Sequence, residues 1–353
     1  MKPIRIGQIG VGHEHASGTI DALLRLSDLY EVVGVVEEEN PRWRSSTAYE
    51  GVARMTEEEL LDTPGLHAVA VETNMPELVP TAMRCMERGL HMHLDKPGGE
   101  ALEPFRRLID GCRERSLAIQ LGYMYRTNPA IEFCFRAVRE GWLGEIFQVD
   151  AVMSRYDSDA YREFLAGFPG GAMYNFGSHL IDLVVAMLGR PENVVAFQKA
   201  TRDDGLNDNG LAVLEYRRAT ATVRSSIVEA DGMMHRRLVV CGTNGTVEIC
   251  PLEYPGRYRQ EPLHVRLTLR EGTAGYAAGT RTVNVGVMNG RYDDQLIELA
   301  RIIRGEIENP YSYEHELHVQ ETLLAAAGYT TWETTRPQGD GPTERSSRRE
   351  QQP

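Results

Sequence analysis

Lysine is scarce in this chain of 353 residues: Lys2, Lys96 and Lys199 are the only three, and arginine carries nearly all the positive charge. A lysine kept where arginine otherwise serves invites a chemical reason. Lys96 stands in Asp95-Lys96-Pro97, directly after an apolar run over 91–94 that reads as a strand. The C-terminal ends of strands in a doubly wound sheet face the ligand crevice. An ammonium there can hydrogen-bond a substrate oxygen and stabilise a developing alkoxide; when desolvated it can also relay a proton. His179 opens a helical pattern over 179–188 and offers an imidazole suited to general-base work. Asn175 lies one turn before it and Asp182 one turn after. Oxidation of a secondary alcohol needs a group to take the hydroxyl proton and an acceptor for the hydride.

The acceptor has a candidate site at the start of the chain. The run Gly7-Gln8-Ile9-Gly10-Val11-Gly12-His13-Glu14-His15 ends one strand and opens a helix. Gly10 permits a tight turn, and Gly12 lets backbone approach a pyrophosphate seated on the helix N-terminus. His15 stands where a third glycine is usual. The second strand ends at Glu37, followed by two more glutamates. A carboxylate there accepts from ribose hydroxyls and repels a 2′-phosphate, so NAD is expected rather than NADP. The histidine pairs His13/His15 and His91/His93 have no cysteine or carboxylate cluster at ligand spacing, and no metal is expected.

These residues need a frame. Through residue 122 the chain alternates strand and helix: strands at 4–9, 31–36, 68–71, 91–94 and 118–123, helices at 17–29, 57–61, 76–88 and 102–115. That alternation predicts a doubly wound parallel sheet, an α/β nucleotide-binding domain over 1–122. A helix over 129–140 follows, and then long alternating strands. Phe147, Val149, Ala151 and Met153 share a face, as do Leu263, Val265, Leu267 and Leu269, and Val283, Val285 and Val287. Asn244-Gly245 marks a hairpin. We expect an α+β domain over 123–333 with a large, mainly antiparallel open sheet, one helix near 177–188 and two closing helices within 291–329 that pack back. Residues 334–353 contain no Leu, Ile, Val, Phe or Met and read as a disordered tail.

Several motifs in order resemble the Gfo/Idh/MocA family of sugar and polyol oxidoreductases. They are the glycine turn with Glu37, Thr73-Asn74, Gly89-Leu90-His91 leading to Asp95-Lys96-Pro97, and Gly122-Tyr123-Met124-Tyr125-Arg126-Thr127-Asn128-Pro129. Gly141-Trp142-Leu143-Gly144-Glu145 follows, and then Gly170-Gly171-Ala172 through Asn175, Gly177, His179 and Asp182. The resemblance covers roughly residues 4–329. It implies a cis Lys96–Pro97 peptide, and an NAD(P)-dependent dehydrogenase acting on a ring hydroxyl of a sugar, polyol or derivative. Lys96 and His179 would be catalytic. Tyr125, Arg126, Asn175 and Asp182 would bind substrate. Gly10, Gly12, His13, Glu37, Thr73, Asn74, Asp95 and Lys96 would bind the cofactor. The chain departs from the family at Asn175, where aspartate is common, at Leu78 in place of a histidine, at His15, and at Asp95, one methylene shorter than the usual glutamate. Two alternatives stand beside this reading: a redox-neutral lyase or glycosidase that oxidises its sugar transiently, and a non-catalytic nucleotide sensor.

Composition narrows the partners. The formal charge of −13 argues against nucleic acid. No apolar stretch is long enough for a membrane helix. The first residues run straight into a strand without a leader pattern, and five unpatterned cysteines read as reduced thiols, so a cytoplasmic protein is expected. An open sheet needs its second face covered, which predicts a homodimer or homotetramer through the C-terminal sheet.

Overall fold

The computed structural model describes residues 2–37 and 47–332. The two glutamates after Glu37 and the apolar-free stretch over 334–353 lie outside the described residues.

The first sheet contains β1 (Ile4–Ile9), β2 (Tyr30–Val36), β3 (Arg54–Met55), β4 (Ala68–Val71), β5 (His91–Leu94) and β6 (Ile119–Leu121). Their order is β3-β2-β1-β4-β5-β6 and every pairing is parallel. Parallel neighbours require crossovers. The helices α1 (Glu14–Arg25), α2 (Glu57–Leu61), α3 (Leu78–Glu87) and α4 (Leu102–Glu114) lie in the connections. Helices cover both faces, so β4 reads Ala-Val-Ala-Val and is buried throughout. Strand order reverses between β1 and β4, which places the ligand crevice at their C-terminal ends.

Two helices differ from expectation. The helix expected over 17–29 begins at Glu14, because His13 caps it: Nδ1 of His13 accepts from the Ala16 N–H at 3.3 Å. The helix expected over 76–88 starts as a single tight turn, Met75–Glu77, before α3. Pro76 suits the start of that turn, while Pro80 lacks the N–H that a continuous helix from residue 75 would bond to the Pro76 carbonyl.

The second sheet contains β7 (Ile146–Ser154), β8 (Asn193–Lys199), β9 (Asn209–Glu215), β10 (Thr220–Ser226), β11 (Arg237–Gly242), β12 (Gly245–Ile249), β13 (Leu263–Leu269) and β14 (Gly279–Gly286). Their order is β14-β13-β12-β11-β7-β10-β9-β8. All neighbours are antiparallel except β7 and β10. The expected Asn244-Gly245 turn joins β11 to β12. On one face, residues such as Val149, Ala212, Val223, Val240, Val247 and Leu267 are buried under α5 (Pro129–Arg139), α7 (Ser178–Leu188) and α9 (Tyr313–Ala326). The other face is open: Phe197 and Leu211 pair across β8 and β9 and are 50% and 36% exposed.

Three local features were not anticipated. A short helix, α6 (Asp159–Leu165), follows β7 where no helix was expected, started by Ser158 accepting from the Tyr161 N–H. The two-residue strand β3 extends the first sheet. Ahead of α7, residues Met173–Gly177 form a widened π-type turn, a distortion that recurs at functional sites. The closing helices α8 (Asp293–Ile303) and α9 pack back on the first half. Leu296 and Ala300 join the core around Ile6, Ile20 and Leu23, and α9 lies against α4. Among the described residues, no helix is long and apolar enough to cross a membrane.

Candidate active site

A cleft opens where the C-terminal ends of β1, β4 and β5 face the second sheet. His13, His15, Thr73, Asn74, Asp95 and Lys96 line it on the first side; Met153, Arg155, Tyr161, Asn175, Phe176 and His179 line it on the other. Arg236 and Arg291 complete the wall.

The glycine turn is set by close packing. Gly10 has φ +101, and a Cβ there would run into the Glu72 carbonyl. His13 then bridges the turn and the sheet. Its Nδ1 caps α1 and its Nε2–H donates to the Glu72 carbonyl at 2.8 Å, a tautomer assigned from these partners. His15 packs edge-on against His13, with Nδ1 3.1 Å from Asp95 Oδ1. Ligand atoms of His13, His15 and Asp95 lie within 4.8 Å of one another. Both nitrogens of His13 are already engaged, which leaves that ring no lone pair for a cation.

Lys96 is buried after β5, joined to Pro97 by a cis peptide. Its Nζ donates to the Asn175 backbone carbonyl at 2.9 Å and to Asn175 Oδ1 at 3.0 Å. An ammonium has three donors; the third has no partner among the described residues. Burial lowers the Lys96 pKa to about 8, with Arg291 adding to the effect and Asp95 opposing it. Asp95 itself stays charged: burial pushes its pKa up, but His15, His13 and Lys96 hold it below the usual carboxylate value. The loop after Lys96 is braced from the far end of the chain. Gln320 of α9 accepts from the Gly98 N–H at 3.0 Å and donates to the Gly99 carbonyl at 2.5 Å.

His179 is buried between the rings of Tyr123 and Tyr125, whose centroids lie 5.7 and 5.8 Å away. Burial drives its pKa well below 6.5, and the charges of Lys96, His15 and Arg291 push the same way. The imidazole is therefore neutral at pH 7. Its Nδ1 has no hydrogen-bond partner among the described residues. Asn175, on the widened turn, reaches Lys96 rather than His179, and its Nδ2 donates to the Tyr161 hydroxyl at 2.9 Å.

The remaining expected site residues fall elsewhere. Tyr125 donates to Glu253 at 2.9 Å, beneath the cleft wall. Arg126 and Asp182, expected to hold substrate, instead saturate each other. The Arg126 guanidinium reaches Asp182 at 2.6 Å and Glu316 at 2.8 Å, stacks on Tyr311, and is buried away from the cleft lining. Glu37 directly follows β2 and pairs with Arg54 of β3. Sequence reading missed Arg236 and Arg291, which sit outside every motif; they reach the cleft through tertiary packing alone.

The cleft fits a dinucleotide. The Thr73 hydroxyl is buried, lines the cleft and has no partner among the described residues, so a polar ligand group is needed there. The glycine turn presents the N-terminus of α1 beside it.

Comparisons with known proteins identify the family and the fold. A family model described as oxidoreductase family, NAD-binding Rossmann fold, matches residues 4–123, and the GFO/IDH/MocA C-terminal domain matches residues 134–248. The chain is 27% identical to uncharacterized oxidoreductase ORF334 of Rhizobium meliloti, over 95% of this chain and 100% of that one. It is 28% identical to D-xylose 1-dehydrogenase (NADP(+)) 2 of Haloferax volcanii, over 47% of this chain and 50% of that enzyme. Among solved structures, the 3-ketoreductase KijD10 from Actinomadura kijaniata superimposes with TM-score 0.75 at 19% identity, covering 94% of this chain and 98% of that one. The protein is an oxidoreductase with an NAD(P)-binding Rossmann fold. Within that class it belongs to the Gfo/Idh/MocA family.

Proposed function

We propose that the protein oxidises a secondary alcohol on a sugar, polyol or sugar derivative, or reduces the matching ketone, with NAD as its partner. The observation that carries this reading is the third donor of Lys96. Two of its N–H bonds are fixed by Asn175, so the ammonium is aimed, and the remaining one is free for a substrate oxygen.

In the oxidative direction His179, neutral and without a partner at Nδ1, takes the hydroxyl proton, and Lys96 stabilises the negative charge that develops on the oxygen. When bound, the nicotinamide supplies the hydride acceptor. Thr73 and Asn74 on one side and Asp95 on the other hold the dinucleotide, with Gly10, Gly12 and His13 shaping the turn under its phosphates. Asn175 orients Lys96. Tyr125, Arg126 and Asp182 act one layer back, by fixing the elements that carry the reacting groups. Glu37 favours NAD, because its carboxylate and not a free guanidinium ends β2.

The same reading places the boundary between nucleotide and substrate domains after residue 122. It places the protein in the cytoplasm, where its free cysteines, three of them buried, stay reduced. The open sheet face around Phe197 is covered by a second copy of the chain. Sugar dehydrogenase relatives, among them scyllo-inositol 2-dehydrogenase (NADP(+)) IolW of Bacillus subtilis, 24% identical over 65% of this chain and 64% of that enzyme, favour a polyhydroxylated substrate. The experiment is NADH formation against a panel of hexoses, inositols and amino sugars. NADH production supports the reading. Tightly held NAD with product formed and no net NADH overturns net oxidation in favour of a redox-neutral elimination.

A further inference from the structure

Two guanidinium groups in the cleft wall share a single buried carboxylate. Glu253, fully buried, accepts from Arg236 Nη1 at 2.5 Å and from Arg291 Nε and Nη2, both at 3.1 Å; the hydroxyls of Tyr125 and Tyr258 donate to it at 2.9 and 3.1 Å. With five donors on two oxygens, Glu253 has no capacity left. Burial pushes its pKa up, but Arg291 and Arg236 hold it down, so it carries one negative charge against two positive ones. Arg236 is 1% exposed and belongs to the cleft lining. Its Nε binds the Ser154 carbonyl at 3.3 Å, while Nη2 has no partner among the described residues. Arg291 likewise leaves Nη1 without one. Nearby, Arg155 pairs with Asp157 at 2.6 Å and stacks over Tyr161 and Phe176.

A buried charge is normally matched by a counter-charge, and an unmatched one is costly. Here one carboxylate serves two guanidiniums, Arg236 fully buried and Arg291 a quarter exposed toward the cleft, in a chain whose overall charge is −13. The unused Nη donors belong to residues that line the cleft. Arg236 hangs on Ser154, at the end of β7, and so stands on the wall opposite the glycine turn and its phosphate site.

From this arrangement we infer that the substrate carries an anionic group, a carboxylate or a phosphate ester on the sugar or polyol, bound by Arg236 and Arg291 as the missing counter-charge. The inference rests on reading the cleft as the substrate site and narrows the substrate class to sugar acids and sugar phosphates. Guanidinium forks match both groups, and binding behind a closed wall adds to the strength of such charge-assisted bonds.

The test uses the full chain with NADH present and reads thermal stabilisation by matched probes: D-glucuronate, D-galacturonate and glucose 6-phosphate against glucose and galactose. The acids stabilise the protein at concentrations at least about tenfold lower than their neutral partners, and the difference shrinks with added salt. Preference for the uronates over the phosphate ester, or the reverse, identifies the anion. Arg236→Gln, which leaves Glu253 paired one-to-one with Arg291, lowers the acid-to-neutral ratio at unchanged NADH affinity. Arg236→Lys, which keeps the charge and loses the fork, lowers the ratio less than Arg236→Gln, and retained NADH affinity shows that both variants are folded. Equal stabilisation by acids and neutral sugars, or none by any acid, overturns the inference. So does a loss of NADH affinity in place of a change in the ratio, which would assign the two arginines to the dinucleotide. Acid binding without turnover would keep this inference and overturn the oxidation reading.

Discussion

Asn175 grips the Lys96 ammonium twice, through its backbone carbonyl at 2.9 Å and its amide oxygen at 3.0 Å. An aspartate at this position would give the lysine a counter-ion. The amide gives it direction without charge, and burial then brings its pKa to about 8, within the range where an enzyme works.

With Lys96 acting as an ammonium, kcat/KM for oxidation falls as pH rises through about 8. Neutral His179 is present throughout this range, and its acid limb lies well below pH 6.5. Asn175→Asp places an anion on Nζ and moves the alkaline limb upward; Lys96→Arg removes it. Identical pH profiles for wild type and Asn175→Asp would contradict the assignment.

Lys96→Met abolishes turnover, retains NAD binding, and stabilises the fold at pH 7. Burial lowers the lysine pKa from 10.5 to about 8, so between these values the unfolded chain binds a proton that the folded chain has released, and wild-type stability rises with pH across that window. Below it, keeping the lysine charged costs roughly 3 kcal/mol, against about 1–3 kcal/mol for Asn175 Oδ1, which methionine leaves unpaired while the backbone carbonyl keeps the Ser178 hydroxyl. Melting curves at pH 7 should favour the variant, and the advantage should be gone by pH 10.5.

Arg126→Met leaves Asp182 and Glu316 buried without their cation. Removing one partner of such a cluster costs about 3–5 kcal/mol. Denaturant unfolding measures the loss; a variant as stable as wild type would mean that the cluster is not the tie described above.

Glu37→Ser releases Arg54, a guanidinium on β3 beside the end of β2. The ratio of kcat/KM with NAD to that with NADP should fall by about tenfold or more, since an arginine there accommodates a 2′-phosphate. Steady-state kinetics with both dinucleotides decides it.

Phe197→Asp puts a charge in the open face of the second sheet, beside Leu211. Light scattering at micromolar concentration should show a smaller assembly than wild type. A wild-type monomer would remove the basis for that interface.

The parallel sheet and the open sheet were both legible in the sequence, because apolar period and turn residues are local signals. So was the crevice position of Lys96, which follows from its place after a strand. The extent of α1 was misread since an N-capping histidine is an unusual start signal. The widened turn at Met173–Gly177 has no propensity signature. Arg126 carried a motif but not its role: nothing local says that Asp182 and Glu316, separated from it by 56 and 190 residues, converge on one guanidinium. Arg236 and Arg291 were invisible for the same reason.

The brace between Gln320 and the glycines after Pro97 has a consequence for synthesis. A ribosome finishes the glycine turn early, yet the loop that seats residue 96 waits for a partner more than two hundred residues downstream. A chain interrupted by a premature stop ahead of α9 would lack both that brace and the buried helix face on which α4 and α7 pack.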